Sequence, residues 1–401
     1  MKARPQSRRF WLSVTFFVCF SFLLRPAFAQ GLGLNLLPQK VIVRLNNQVS
    51  INRILSDYHA LLSDQVPGTP IYELTLLPGL DVLQVVQSLL ADPRIVYAQP
   101  NIILTEYSGN PFTFPYEFTS KSQGYADQSS YQTVDRGKSQ NWSTGAGVTV
   151  AILDTGAKLD HPALLGHFTA GYNAIQPGQL PLDLPDGKAN HEVGHGTFVA
   201  GILAQVAPGA SLMPVRVLNG DGNGTLMSVL KGLFYAATHG AQVINMSFGT
   251  PLYLPALIDA FHFVRGLGIV LVAAAGNEDT VEAQFPALCP DILAVASVES
   301  SGAKSPYSNY GAHIALAAPG TAIRSTYWDG GYASWSGTSF ATPFVAAEAA
   351  LILGLKSHPD AITTTNAILA TAHSVDGVNP DYAGQLGAGL IDIYAALSRL
   401  R

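Results

Sequence analysis

Cysteine is nearly missing from this chain: among 401 residues only Cys19 and Cys289 occur. Charge is scarce as well, at 12% against 48% hydrophobic residues. A disordered chain has the opposite balance, so the composition excludes one. The formal net charge is −5 and there is no long Lys/Arg run, so nothing points to a nucleic-acid partner. Internal repeats and low-complexity tracts are lacking too. Glycine, by contrast, is plentiful at 38 residues, and many tight turns or close backbone approaches are expected. The length suits two or three domains.

Residues 1–29 read as a signal peptide. Lys2, Arg4, Arg8 and Arg9 form a positive region, Phe10–Leu24 is apolar, and Ala27-Phe28-Ala29 fits a cleavage pattern. At a rise of about 1.5 Å per residue this run falls short of a ~30 Å hydrocarbon core, so export and removal are expected rather than a stable membrane anchor. The mature chain is then a secreted protein, extracellular or periplasmic, with a net charge near −10. Ser7-Arg8-Arg9-Phe10 leaves the export route open. Cys289, now the last cysteine, has no disulfide partner in the mature chain and reads as a buried structural thiol.

Residues 40–104 alternate in type. Lys40–Leu45, Ile71–Leu77 and Arg94–Leu104 read as strands, and Ile51–Leu62 and Asp81–Leu90 as helices. That pattern predicts a small α/β open sandwich. Residues 108–142 show no period and read as a linker followed by an extended arm. From Val148 onward, near-continuous apolar strands (148–153, 211–217, 243–247, 269–274, 292–298, 314–317) alternate with helices (197–205, 227–238, 254–266, 339–353). Such runs predict a doubly wound, mainly parallel α/β sheet, with sites at the carboxyl ends of its strands.

Four residues at such ends invite chemistry. Asp154 directly follows an apolar strand, where a carboxylate is rigid and partly buried; alone it would read as a turn or cap. His195 lies between Gly194 and Gly196, just before a helix, with its imidazole approachable. Ser339 opens a helix, where serine is a common cap; the same helix N-terminus offers N–H groups and partial positive charge to whatever a serine attacks. Asn277 ends a strand and can act as a turn residue or lend its amide to a developing oxyanion.

The order Asp154, His195, Asn277, Ser339, all in one α/β domain, resembles that of the subtilisin family. Asp154-Thr155-Gly156, His195-Gly196-Thr197, Ile244–Gly249, Gly276-Asn277, Ala318-Pro319-Gly320, Gly337-Thr338-Ser339 and Gly387-Ala388-Gly389 carry the resemblance, from near Tyr125 to Leu397. It implies a serine endopeptidase acting on proteins and peptides. Ser339 would attack, His195 would move the proton, Asp154 would orient the histidine, and Asn277 with the Ser339 N–H would hold the oxyanion. Catalysis would require no cofactor. Residues 30–107 would be a propeptide that assists folding and inhibits intramolecularly, 108–124 a linker or arm, and 125–401 the catalytic domain. No oligomerisation signal is visible, and a monomer is expected.

Two other readings compete. His191-Glu192-Val193-Gly194-His195 fits the H-E-x-x-H pattern of zinc proteases, which needs both histidines within one helix; Gly194 and Gly196 oppose that. An inactive binding module on the same fold would ordinarily lack a triad residue, and none is lost.

The resemblance also implies finer features. A substrate pocket would lie between Ser247-Phe248-Gly249 and Ala274-Ala275-Gly276, whose small residues leave room for Phe, Tyr, Leu or Met before the cut. Glu278 would lie near the floor and permit some Lys. Leu226 would belong to an edge strand, 223–226, beside the substrate. The calcium loop that many relatives insert is missing from Gly201–Pro208, while weaker structural calcium sites elsewhere stay open; Asp221-Gly222-Asn223-Gly224 reads as a turn. The propeptide strand would end near Asn101, and its tail, residues 102–107, would lead to a self-cleaved Tyr107–Ser108 bond.

Overall fold

Alternating and continuous apolar runs produce two kinds of sheet. The computed structural model describes residues 35–105 and 113–401, so residues 1–29 and the Tyr107–Ser108 bond lie outside it. The chain divides into two compact units, Met1–Ile103 and Leu104–Arg401.

The first unit contains β1 (Leu36–Leu45), α1 (Ile51–Asp57), β2 (Ala60–Gln65), β3 (Ile71–Leu76), α2 (Val82–Leu90) and β4 (Ile95–Thr105), the last two residues of which, Leu104 and Thr105, belong to the second unit. Its strands lie in the antiparallel order β2-β3-β1-β4, with Ile42 opposite both Glu73 and Gln99. Val41, Val43, Ile54, Leu74, Val86 and Leu89 form the core beneath the helices. The Asp81 carboxylate caps α2 by accepting from the N–H groups of Leu83 and Gln84 (2.8 and 3.2 Å).

Two elements depart from expectation. The helix expected to reach Leu62 ends at Asp57; His59 turns the chain at φ 49, and 60–65 pair with β3 instead. Leu62 looked core-facing by helical spacing but is 46% exposed on this strand. The last strand does not stop near Asn101, because Ile102 pairs with Leu36 and the Ile103 N–H reaches Asn35 O (2.9 Å).

In the second unit β5 (Tyr116–Thr119) and two short helices, α3 (Ser129–Thr133) and α4 (Arg136–Ser139), precede β6 (Thr149–Asp154) and β7 (Tyr172–Asn173). Then come α5 (His195–Val206), β8 (Ser211–Arg216), β9 (Asn223–Thr225), α6 (Leu226–Thr238), β10 (Val243–Met246), α7 (Pro255–Gly266), β11 (Val270–Ala274), β12 (Leu293–Val298) and β13 (Leu316–Pro319). β14 (Ile323–Thr326), β15 (Tyr332–Trp335), α8 (Thr338–Leu353), α9 (Ala361–Thr371) and α10 (Ile393–Leu400) complete it.

Seven strands form a parallel sheet in the order β13-β12-β11-β10-β6-β8-β7. Val150, Ile152, Leu212 and Val272 share one core with α5 and α8. Leu153 and Val215 have the opposite parity along their strands and meet α6 around Gly232. Successive side chains thus feed helices on both faces, the doubly wound arrangement that continuous apolar runs imply. None of the helices among the described residues is long and apolar enough to cross a membrane.

A further sheet, β14-β15-β5, was not legible. Tyr116, Glu117 and Phe118 are all exposed, so the stretch expected as linker or arm has no alternation to read.

Candidate active site

Adjacent parallel strands deliver the site residues to one end of the sheet. Asp154 is the last residue of β6 and fully buried. Its Oδ1 accepts from the Thr155 N–H (2.7 Å) and from His195 Nδ1 (2.8 Å). His195 is the first residue of α5 rather than preceding it, because Gly194 takes the cap position at φ 96. Gly196 lies inside that helix; a Cβ there would collide with the Gly156 carbonyl, so glycine lets α5 approach the end of β6. The rings of Trp335 (5.5 Å between centroids) and Phe340 (5.0 Å) pack against the imidazole and against each other.

Sequence reasoning missed Asp183. It is buried and accepts from the Gly194 N–H (2.9 Å), the Thr197 N–H (3.1 Å) and the Thr197 hydroxyl (2.7 Å). Those donors flank His195, so Asp183 anchors the turn that presents the imidazole. Burial, outweighing these bonds, pushes its carboxyl above the usual range. Asp183 lies in a loop without period, and no local signal marks it.

Ser339 is the second residue of α8. Its Oγ donates to the Ser247 carbonyl (3.0 Å). The Ser247 hydroxyl donates in return to the Ser339 carbonyl (2.7 Å). Pro343 explains that return bond: an interior helical carbonyl normally accepts from the N–H four residues on, and proline has none. Asn277 follows β11, and its Oδ1 accepts from the Thr338 N–H (2.9 Å) and hydroxyl (3.0 Å). With its oxygen so occupied, the donor end of the amide is Nδ2. Asn277, His195 and Ser339 line one small cleft with Glu192, Ser336 and Thr113.

Ser247-Phe248-Gly249 and Ala274-Ala275-Gly276 emerge from the neighbouring strands β10 and β11, which pair Met246 with Ala273. Gln284 stands between the two segments: a Cβ on Gly249 would strike its Oε1, and one on Gly276 would lie 3.0 Å from its Cδ. Its Nε2 donates to Glu278 Oε2 (2.8 Å), which also accepts from Asn309 Nδ2 (2.8 Å). Leu226 is not on the edge strand. Thr225 and Ser228 form a capping box, so Leu226 starts α6 and is fully buried.

His191 and Glu192 lie in the turn before α5, so the H-E-x-x-H pattern lacks its helix. Among the described residues no group of three or more His, Cys, Asp or Glu is placed to share a metal. The Asp221 carboxylate is engaged by the N–H groups of Lys188, Ala189 and Asn190 (2.6–2.7 Å). Burial works against its charge, but those bonds hold the carboxyl below its ordinary range. Residues 201–206 run unbroken within α5. Cys289 is buried, and burial pushes its thiol up to about 11, as suits an inert structural thiol.

Comparison with known proteins agrees with this geometry. A profile described as the subtilase family matches residues 145–389, and one described as the fervidolysin N-terminal prodomain matches 27–101. The chain belongs to the subtilase family: it is a serine endopeptidase with an N-terminal prodomain. Thermitase of Thermoactinomyces vulgaris is 37% identical over 270 residues, 64% of this chain and 92% of thermitase. Subtilisin NAT of Bacillus subtilis subsp. natto is 31% identical over 418 residues, covering 98% of this chain and 99% of its own. The crystal structure of fervidolysin from Fervidobacterium pennivorans, described as a keratinolytic enzyme related to subtilisin, shares the fold with a TM-score of 0.75 at 24% identity; the match covers 90% of this chain and 61% of that one. Subtilases need no cofactor for catalysis.

Proposed function

We propose that the chain is a secreted, self-cleaving zymogen that hydrolyses peptide bonds through an acyl-enzyme on Ser339. The observation that carries this is the buried His195 Nδ1–Asp154 Oδ1 bond beside a helix-opening serine, in a cleft shared with Asn277. Ser339 Oγ attacks the scissile carbonyl and passes its proton to His195 Nε2. Asp154 keeps the other ring nitrogen protonated and stabilises the imidazolium. The Asn277 Nδ2–H and the Ser339 backbone N–H receive the oxyanion. His195 then protonates the leaving amine, and water repeats the cycle to release the acyl group.

The segments 247–249 and 274–276 take the side chain before the cut, with a preference for Phe, Tyr, Leu or Met. Residues 30–107 act as the intramolecular inhibitor, and the first bond cut is Tyr107–Ser108. Two contacts within the second unit, on either side of that bond in the sequence, support this: Thr105 Oγ1 donates to Asn223 Oδ1 (2.7 Å), and Thr113 lines the cleft with Ser339. The mature enzyme is a monomer without a membrane anchor.

The test is the purified precursor beside Ser339→Ala. The parental chain should digest denatured protein and acquire an N-terminus at Ser108, while Ser339→Ala stays intact. Maturation of the alanine variant when purified alone would refute self-cleavage, and a start beyond Phe118 would refute the assigned bond. A chelator that abolishes activity which a serine-directed inhibitor spares would restore the zinc reading.

A further inference from the structure

We propose that β5 occupies the half of the cleft that receives the residues after the scissile bond, so that Thr113–Thr119 competes there with long substrates. This rests on the protease reading above.

Chain polarity carries the inference. β15 ends at Trp335 and leads through Ser336 and Gly337 to Ser339. β5 pairs with it antiparallel, Tyr332 opposite Thr119 and Ser334 opposite Tyr116. As β15 runs toward the nucleophile, β5 therefore runs away from it, and Thr113 stands in the cleft itself. In any peptide crossing a serine nucleophile, the residues before the cut run toward it and those after run away. Residues 113–119 have the polarity of the leaving half.

The seat is specific. The Trp335 indole N–H donates to the Thr113 carbonyl, and the Ser334 hydroxyl donates to Glu117 Oε2 (3.0 Å). Phe118 lies on the Tyr327 ring with centroids 5.2 Å apart. Without β5, β15 would present its backbone as a free edge beside Ser339, the kind of surface that an extended peptide joins by strand addition.

The seat is also displaceable. All of β15 is buried, whereas Tyr116 and Phe118 are 39% and 57% exposed. Glu117 is held at φ 52, an unfavourable conformation for a residue bearing a Cβ. An occupied edge lowers apparent affinity by the fraction of time it is open. The walls at 247–249 and 274–276 come from β10 and β11, so a substrate with nothing beyond a small leaving group does not reach the β15 edge and meets Thr113 alone.

The experiment uses the processed enzyme and two substrates with the same acyl half: an anilide, and a quenched peptide with several residues after the cut. Glu117→Pro forbids the positive φ and releases β5. It should raise kcat/KM on the peptide about tenfold, through KM, and leave the anilide within about twofold. A synthetic Thr113–Thr119 peptide added to the variant should restore the parental selectivity. Equal changes on both substrates, or none on either, would overturn the proposal. If the variant does not mature, the parental enzyme decides: kcat/KM should not rise as residues are added after the cut, and a steady rise overturns the inference. Anilide hydrolysis that survives Ser339→Ala would overturn the protease reading instead.

Discussion

Ser247 and Ser339 exchange hydrogen bonds, each hydroxyl donating to the other's carbonyl (2.7 and 3.0 Å). The bond to the Ser339 carbonyl replaces the one that Pro343 cannot make. Ser247→Ala should therefore strand a buried carbonyl and cost about 1–3 kcal/mol. Melting in a Ser339→Ala background, which keeps that carbonyl and prevents self-digestion, measures the cost. An unchanged Tm would mean that another donor takes the place of Ser247.

Asn277 depends on Thr338 in a comparable way. Asn277→Ala should lower kcat roughly 10²–10³-fold with little change in KM, a magnitude already established for a subtilisin. Thr338→Val removes the hydroxyl but keeps the backbone N–H on Asn277 Oδ1. It should reduce kcat less, and add nothing once Asn277 is alanine. A double-mutant cycle tests that coupling, and additive losses would disprove it.

Gln284 stands between the two substrate walls and holds Glu278. Gln284→Gly should enlarge the space and leave the Glu278 carboxylate held by Asn309 Nδ2 without its Gln284 donor. Cleavage after Lys should gain on cleavage after Phe, and cleavage after Tyr on cleavage after Ala. A peptide library with an unchanged profile would place the substrate side chain elsewhere.

Glu348 lies on α8, fully buried, with neither carboxylate oxygen hydrogen-bonded. Burial, and secondarily Asp392, pushes its carboxyl well above the ordinary range. The folded state thus keeps a proton that the unfolded state releases near the usual carboxylate pKa. Its contribution is fully present below that value and is lost as pH rises toward the folded pKa, at about 1.4 kcal/mol per pH unit. Glu348→Gln should remove this slope, with a Tm advantage over the parent that grows from pH 5 upward. Parallel Tm–pH curves, again on Ser339→Ala, would contradict it.

The sequence by itself determined the architecture and singled out the candidate reacting groups. Continuous apolar runs can be satisfied only by a sheet covered on both faces, and Asp154, His195, Asn277 and Ser339 each sit in a short motif at an element's end. Those are local properties, readable along the chain. Tertiary structure decided what depends on partners far away in sequence. Residues 60–65 became a strand because β3 offered an edge, against a helical spacing that included Leu62. Asp183 became the anchor of the His195 turn because folding placed its carboxylate beneath two N–H groups, and Gln284 reached the space between the segments that follow β10 and β11 from a loop. β5 has no period of its own, since Tyr116, Glu117 and Phe118 are all exposed; pairing with β15, with the Glu117 and Phe118 contacts to Ser334 and Tyr327, gives it a structure.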